Sequence, residues 1–175
     1  MLKNILLAAF SLMLVTATSS LAQTKTVAAA PIPPRVLAAK KVFVANGGKN
    51  EYSTDLPQYS GGQDRAYDQL CAALKAGNRY EVVNDPSDAD VVFEIEFYVQ
   101  VSGSHPSGIA ISGIDPQFRL SIRDPISNVL LWRFTRRSPF ALLEGNRDRN
   151  FDEGLKLLVS DVESLGGATQ PASAK

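Results

Sequence analysis

The chain has 175 residues, 45% of them hydrophobic, with 18 Lys and Arg against 18 Asp and Glu. That balance argues against a dedicated nucleic-acid binder, an acidic tail and a polybasic membrane patch. A single cysteine, Cys71, rules out an intramolecular disulfide.

Residues 1–22 read as a signal peptide. Lys3 supplies the positive start, an apolar run extends from Ile5 to Val15, and Ser20-Leu21-Ala22 places small residues at the −3 and −1 positions. The apolar run is too short to cross a hydrocarbon layer of ~30 Å, so removal is expected and anchoring is not. Cleavage leaves 153 residues, enough for one domain with its own core. Cys71 lies far from the cleavage point, so no lipidated cysteine is expected. The chain is therefore expected to be exported, soluble and untethered, in the periplasm or outside the cell. Residues 23–37 form a Pro/Ala-rich linker with Ala28-Ala29-Ala30-Pro31-Ile32-Pro33-Pro34 at its centre, and residues 166–175 form a disordered tail. One domain spans 38–165.

Lys41-Val42-Phe43-Val44-Ala45 predicts a strand ended by a turn at Asn46-Gly47-Gly48. A long polar stretch over 49–63 follows. Tyr67, Leu70, Cys71 and Leu74 fall at i, i+3, i+4 and i+7, which predicts a helix over 64–76 stopped by Gly77. Cys71 lies on that stripe as a core residue. A brief strand over 79–83 and a turn over 84–88 precede the longest strand, 91–101. There Val91, Phe93, Ile95, Phe97, Val99 and Val101 take one face, against Val92, Glu94, Glu96, Tyr98 and Gln100.

Residues 102–116 read as a connection rich in glycine and proline. Phe118, Leu120 and Ile122 then point inward, with Gln117, Arg119, Ser121 and Arg123 outward. The turn Asp124-Pro125-Ile126-Ser127-Asn128 leads to a strand in which Leu130, Trp132 and Phe134 share the inward face, a hairpin pattern. Trp132 is expected in the core. For the last helix, Asn150 is the expected N-cap with Glu153 at N3. Phe151, Leu155, Leu158, Val159, Val162 and Leu165 form its stripe. These elements predict an α+β fold, a two-layer sandwich with a mixed sheet of about five strands and two helices packed on one face.

The outer sheet face gathers Glu94, Glu96 and Tyr98 with Arg119, Arg123 and Arg133. Neighbouring strands would set acid against base, each pair worth ~0.2–1 kcal/mol in fixing register. The same face, with Tyr98 as aromatic contact, suits a binding surface for a peptide, glycan or partner domain. Arg136, Arg137, Arg147 and Arg149 are interleaved with Glu144, Asp148, Asp152 and Glu153 and read as mixed surface. His105, the only histidine, lies in Ser102-Gly103-Ser104-His105-Pro106-Ser107-Gly108, with no cysteine or second histidine at metal spacing and no Gly-x-Ser-x-Gly elbow. No catalytic set, metal, cofactor or nucleotide loop is implied.

Five segments carry a resemblance. They are Lys41-Val42-Phe43-Val44-Ala45-Asn46-Gly47-Gly48, Ala89-Asp90-Val91-Val92-Phe93-Glu94-Ile95, Asp115-Pro116-Gln117-Phe118-Arg119-Leu120, Val129-Leu130-Leu131-Trp132 and Gly145-Asn146-Arg147-Asp148-Arg149-Asn150-Phe151-Asp152. In them the chain resembles small exported bacterial proteins of a domain-of-unknown-function group. It is more remotely similar to the amino-terminal domain of the translocation protein TolB and to lipoprotein activators of cell-wall synthases. The resemblance implies an α/β interaction module of the envelope and transfers no catalytic or binding residue. The expected function is a non-catalytic binding module, with an envelope protein or cell-wall component as partner. The alternative is a small exported hydrolase using His105 with the loop serines.

Overall fold

The computed structural model of the chain describes residues 30–49, 59–101 and 113–165. The expected signal peptide, His105 with its loop serines, and the expected tail lie outside the described residues. A compact unit begins at Pro31. Its elements are helix α1 (Pro34–Ala38), strand β1 (Lys41–Lys49), helix α2 (Arg65–Ala76), strand β2 (Glu81–Val83), a 3-10 turn (Pro86–Asp88), strand β3 (Val91–Val101), strand β4 (Ile114–Arg123), strand β5 (Leu130–Arg137) and helix α3 (Glu144–Ser164). The strands form one mixed sheet in the order β2-β1-β3-β4-β5. β1 runs parallel to β2 and β3, whereas β3, β4 and β5 are antiparallel neighbours. The α+β architecture expected from the sequence is the observed one.

The alternation of β3 sets the inside. Val91, Phe93, Ile95, Phe97 and Val99 are buried, and Phe118, Leu120 and Ile122 lie beside them on β4. Leu70 and Leu74 of α2, and Phe151, Leu155, Leu158 and Val162 of α3, belong to the same core. At its centre the Phe97, Phe118 and Phe151 rings meet with centroids 4.7–4.9 Å apart, in tilted and edge-to-face contacts that suit the ring quadrupoles. Gly154 lets α3 come this close, because a Cβ there would lie 3.1 Å from both the Phe118 ring and the Arg137 carbonyl.

Asp90, just before β3, ties that strand to the start of β1. Its carboxylate accepts from the backbone N–H groups of Lys40 at 2.8 Å and Lys41 at 2.9 Å, and its own N–H donates to the Lys41 carbonyl at 2.9 Å. The Lys40 carbonyl in turn accepts from Glu81 N–H at 2.9 Å. The start of β1 is thereby held between β2 and β3, and the short β2 allows a tight return across the end of β1.

Several boundaries differ from expectation. The linker does not extend over residues 34–37. Pro34 sits at the first helical turn, where its fixed φ and missing N–H cost nothing, and Val36 is 1% exposed. β1 continues through Asn46, Gly47 and Gly48 to Lys49 because β3 offers a partner edge. An extra residue is absorbed there as a bulge, with Gly48 at φ +83°. β4 likewise begins at Ile114, inside the expected connection, because β3 is long enough to pair with it. α3 begins at Glu144, so Asn150 is not its cap. The Asn150 amide donates to the Pro139 carbonyl at 2.7 Å, and the preceding turn is held by Arg147, which is buried and donates to the Leu142 carbonyl at 2.5 Å. Trp132 is only partly buried, since β5 is an edge strand, and Cys71 is intermediate on α2. No helix among the described residues is long and apolar enough to cross a membrane.

The bonds from Lys41 and Lys40 hold the Asp90 carboxyl below its usual range, and hydrogen bonds from Ser127 and Ile126 N–H do the same for Asp124 despite opposing desolvation. A lowered folded-state value stabilises the fold fully above the unfolded value of ~3.9 and loses that stabilisation as pH falls through the folded value. Asp90→Ala is expected to cost ~1 kcal/mol at neutral pH, a modest figure because the carboxylate is exposed. The variant should also lose less stability than the wild type between pH 5 and pH 2; urea unfolding across that range measures both.

Candidate functional site

The face of the sheet opposite the core is where β3 and β4 turn their charged side chains. Antiparallel register sets Glu96 opposite Arg119, Glu94 opposite Ser121 and Tyr98 opposite Gln117, and β5 continues the row with Arg133 opposite Ser121. Residues directly opposite in such a ladder share a face, so the pairing brings these side chains together. The Arg119 guanidinium donates to Glu96 Oε2 at 3.2 Å, and Arg123 Nε donates to Glu94 Oε2 at 2.6 Å along the diagonal. Arg123 also donates to the Asn128 carbonyl at 3.3 Å, which ties the ladder to the β4–β5 turn.

Arg119 lies over the Tyr98 ring at 4.3 Å, a cation–π contact that fixes its plane. The Tyr98 hydroxyl donates to Gln117 Oε1 at 3.1 Å, Gln117 Nε2 donates to Asp115 at 2.6 Å, and Arg137 pairs with Asp115 at 3.3 Å. A polar line thus crosses the sheet from β3 to β5. Beside it, Gly47, Glu94, Glu96, Arg119, Ser121, Arg123 and Arg133 line a concavity of about 280 Å³. Gly47 walls one side because a Cβ there would lie 2.9 Å from the Ile95 carbonyl oxygen and 3.2 Å from Glu94 Cγ. Arg133 donates to Ser121 Oγ at 3.3 Å, and among the described residues it forms no ion pair. Three guanidiniums therefore share the concavity with two carboxylates, and Arg133 retains donors for an anionic group.

The six side chains expected on this face, Glu94, Glu96, Tyr98, Arg119, Arg123 and Arg133, do share it. Sequence reasoning passed over two members. Ser121 was legible as outward-facing by alternation, but its seat beneath Arg133 required the β4–β5 register. Gly47 read as a turn residue and proved to be a wall. Of the other basic residues, Arg137 ends the polar line on this face and two go elsewhere. Arg136 pairs with Asp161 on α3, and Arg147 is buried under the start of that helix.

Near the N-terminus of α2, Arg65 donates to Asp148 and to Asp152, each at 2.7 Å, and stacks over Phe151 at 4.3 Å. It clamps α2 to α3. Burial works to raise the Asp148 carboxyl, but bonds from Ser60 and Arg65 outweigh it and hold the group low. Burial pushes the neighbouring Tyr59 hydroxyl up to about 12, so it stays protonated at neutral pH. Burial likewise pushes the Cys71 thiol up, away from the thiolate a nucleophile needs. Among the described residues no group of three or more His, Cys, Asp or Glu side chains is placed to hold a metal ion.

No family model and no curated protein matches the chain. Solved structures similar to it include the hypothetical protein CT253 from Chlamydia trachomatis, at 12% identity and a TM-score of 0.44, covering 75% of this chain and 100% of that one. An uncharacterised lipoprotein B from Nitrosomonas europaea superposes at 15% identity and a TM-score of 0.36, covering 76% and 86%. The PelC dodecamer from Paraburkholderia phytofirmans does so at 17% identity and a TM-score of 0.37, covering 79% and 94%. The chain is thus similar to bacterial proteins that include uncharacterised ones. These three structures include neither TolB nor an activator of cell-wall synthases.

Solvent reaches the Glu96–Arg119 pair, with side chains 28% and 31% exposed, so its strength is limited by hydration. A double-mutant cycle with Glu96→Gln and Arg119→Gln, read by chemical denaturation, is expected to give a coupling of ~0.2–1 kcal/mol. A coupling above ~3 kcal/mol would make the pair a pillar of the fold and not a surface feature.

Proposed function

We infer that the protein is an exported, non-catalytic binding module of the bacterial envelope, and that it engages a partner through the polar sheet face. The observation that carries this reading is the concavity in which Arg119, Arg123 and Arg133 share two carboxylates, leaving Arg133 with donors directed at solvent. A face built only to set register would match acid to base. Here one guanidinium is in excess, Arg133, and it bonds to the buried Ser121 hydroxyl, while Arg119 next in the row lies over the Tyr98 ring. Export rests on the signal-peptide pattern of residues 1–22, and an envelope protein or cell-wall component is the partner class that export makes available.

The test compares the mature chain with two charge-reversed variants in capture from envelope extract. Arg133→Glu lies on the face, and Arg149→Glu lies on α3 away from it. A partner retained by the wild type and by Arg149→Glu, but lost with Arg133→Glu, is the expected result. Equal capture by all three, or none by the wild type, would overturn the assignment to this face.

The export component has its own measurement. When the full chain is expressed in a diderm bacterium, N-terminal sequencing of the periplasmic fraction is expected to begin at Gln23. A cytoplasmic protein retaining Met1 would remove the envelope from the proposal.

A further inference from the structure

Among the described residues strand β5 is an edge of the sheet and pairs only with β4. In an antiparallel ladder, alternate residues direct both backbone groups toward the partner strand, and the residues between them direct both away. The phase is set by Ser138, whose N–H donates to the Pro116 carbonyl at 2.9 Å, one step beyond the Gln117–Arg137 pair. Arg136, Phe134 and Trp132 are then the residues bonded inward to β4, and Arg133 and Thr135 turn their N–H and C=O groups to the open side. Beyond them α3 closes over the strand, with Gly154 against the Arg137 carbonyl. The usable edge is therefore the stretch from Leu130 to Thr135.

Its two faces differ in chemistry. The residues whose backbone groups face outward carry their side chains on the polar face, where Arg133 forms no ion pair with the described residues. On the other face Trp132 and Phe134 are only partly buried against the core. The adjoining turn leaves Leu130, Val129 and Ile126 41%, 57% and 91% exposed. A strand laid along this edge would set alternate residues beside Arg133 and the intervening ones over Trp132 and Phe134. A second copy of β5 paired antiparallel about Arg133 would set that guanidinium against its own copy, and like charges across a strand pair are unfavourable.

We propose that β5 accepts, as a sixth strand, an extended peptide of a partner protein in which carboxylate side chains alternate with apolar ones. The proposal rests on the binding-module reading in that it uses Arg133 of the same face, and it adds the manner of binding and the chemistry of the partner. Backbone bonds to Arg133 and Thr135 supply affinity, the guanidinium selects acid on one side, and the half-covered aromatics select apolar groups on the other.

Trp132 is the only tryptophan in the chain, so its fluorescence reports directly on this edge. The full mature chain is titrated with three end-blocked hexapeptides: alternating Glu-Val, the same peptide N-methylated at alternate residues, and alternating Lys-Val. Isothermal calorimetry runs alongside, so that a silent fluorophore does not decide the outcome. Saturable binding of the Glu-Val peptide is expected, with loss of binding on N-methylation and no binding of Lys-Val. Arg133→Glu, checked for an unchanged unfolding midpoint, is expected to weaken Glu-Val binding ~10-fold or more and to bind Lys-Val instead. No Glu-Val binding, equal binding of the N-methylated peptide, or indifference to Arg133→Glu would each overturn the proposal. Peptide binding with failed envelope capture would remove the cellular reading and leave the edge, whereas capture without peptide binding would remove the edge alone.

Discussion

Strand β3 has one parallel neighbour, β1, and one antiparallel neighbour, β4, and the register of this strand holds the molecule together. Sliding β3 by one residue would turn Glu94 and Glu96 into the apolar layer and put Phe93 and Ile95 in water. The penalty for burying two carboxylates among Leu70, Leu120 and Leu158 far exceeds what any rearrangement could recover. The buried row thus determines the exposed row. The ladder of Glu94, Glu96, Arg119 and Arg123 occupies its face because Phe93, Ile95, Phe118 and Leu120 occupy theirs. The weak surface pairs ride on a strong core constraint.

The connections at the sheet's N-terminal end depend on that register as well. Asp90 precedes β3 and reaches back to the first N–H groups of β1, so the side chain that begins one strand orients its parallel neighbour. α1 follows the same logic. Val36 enters the core, while Arg35 donates to the Asp90 carbonyl and pairs with the Asp124 carboxylate. Asp124 also accepts from the N–H groups of Ile126 at 2.9 Å and Ser127 at 2.8 Å, shaping the β4–β5 turn. The N-terminal segment, the start of β3 and the hairpin turn are therefore linked through two aspartates and one arginine. At the other end of the core Arg65 performs a comparable task between α2 and α3. These polar ties are local and partly solvated, and they align what hydrophobic burial has assembled.

The candidate site follows from this division of labour. Among the described residues the buried apolar row of the sheet backs onto the core, the polar row takes the opposite face, and the edge strand pairs only with β4. Both features meet at β5. The polar face supplies fixed guanidinium planes, oriented by Tyr98, Glu96 and Ser121, and the edge supplies directional backbone groups. Neither feature needs a moving part. Recognition by such a surface is an addition to existing order, with little of the entropic cost that folding a loop around a ligand would bring.

Periodicity by itself determined most of the secondary structure. The alternation of residues 91–101 and 118–123, the stripe from Tyr67 to Leu74 and the turn at 124–128 were readable because each buries or exposes side chains at its own period. That Glu94, Glu96, Tyr98, Arg119, Arg123 and Arg133 would face the same way was readable for the same reason. Only the tertiary structure decided what lay beyond local pattern. α3 extends back to Glu144 because Arg147 and Asn150 find carbonyl acceptors in the preceding turn, a gain invisible in a run of polar residues. β1 passes through Asn46-Gly47-Gly48 because β3 provides a partner edge that overrides a strong turn signal. Gly47 and Ser121 joined the charged ladder, and β5 became an edge of the described sheet, only once strand order and register were set. Local preference is a property of neighbours along the chain, but a binding surface is made of neighbours across it.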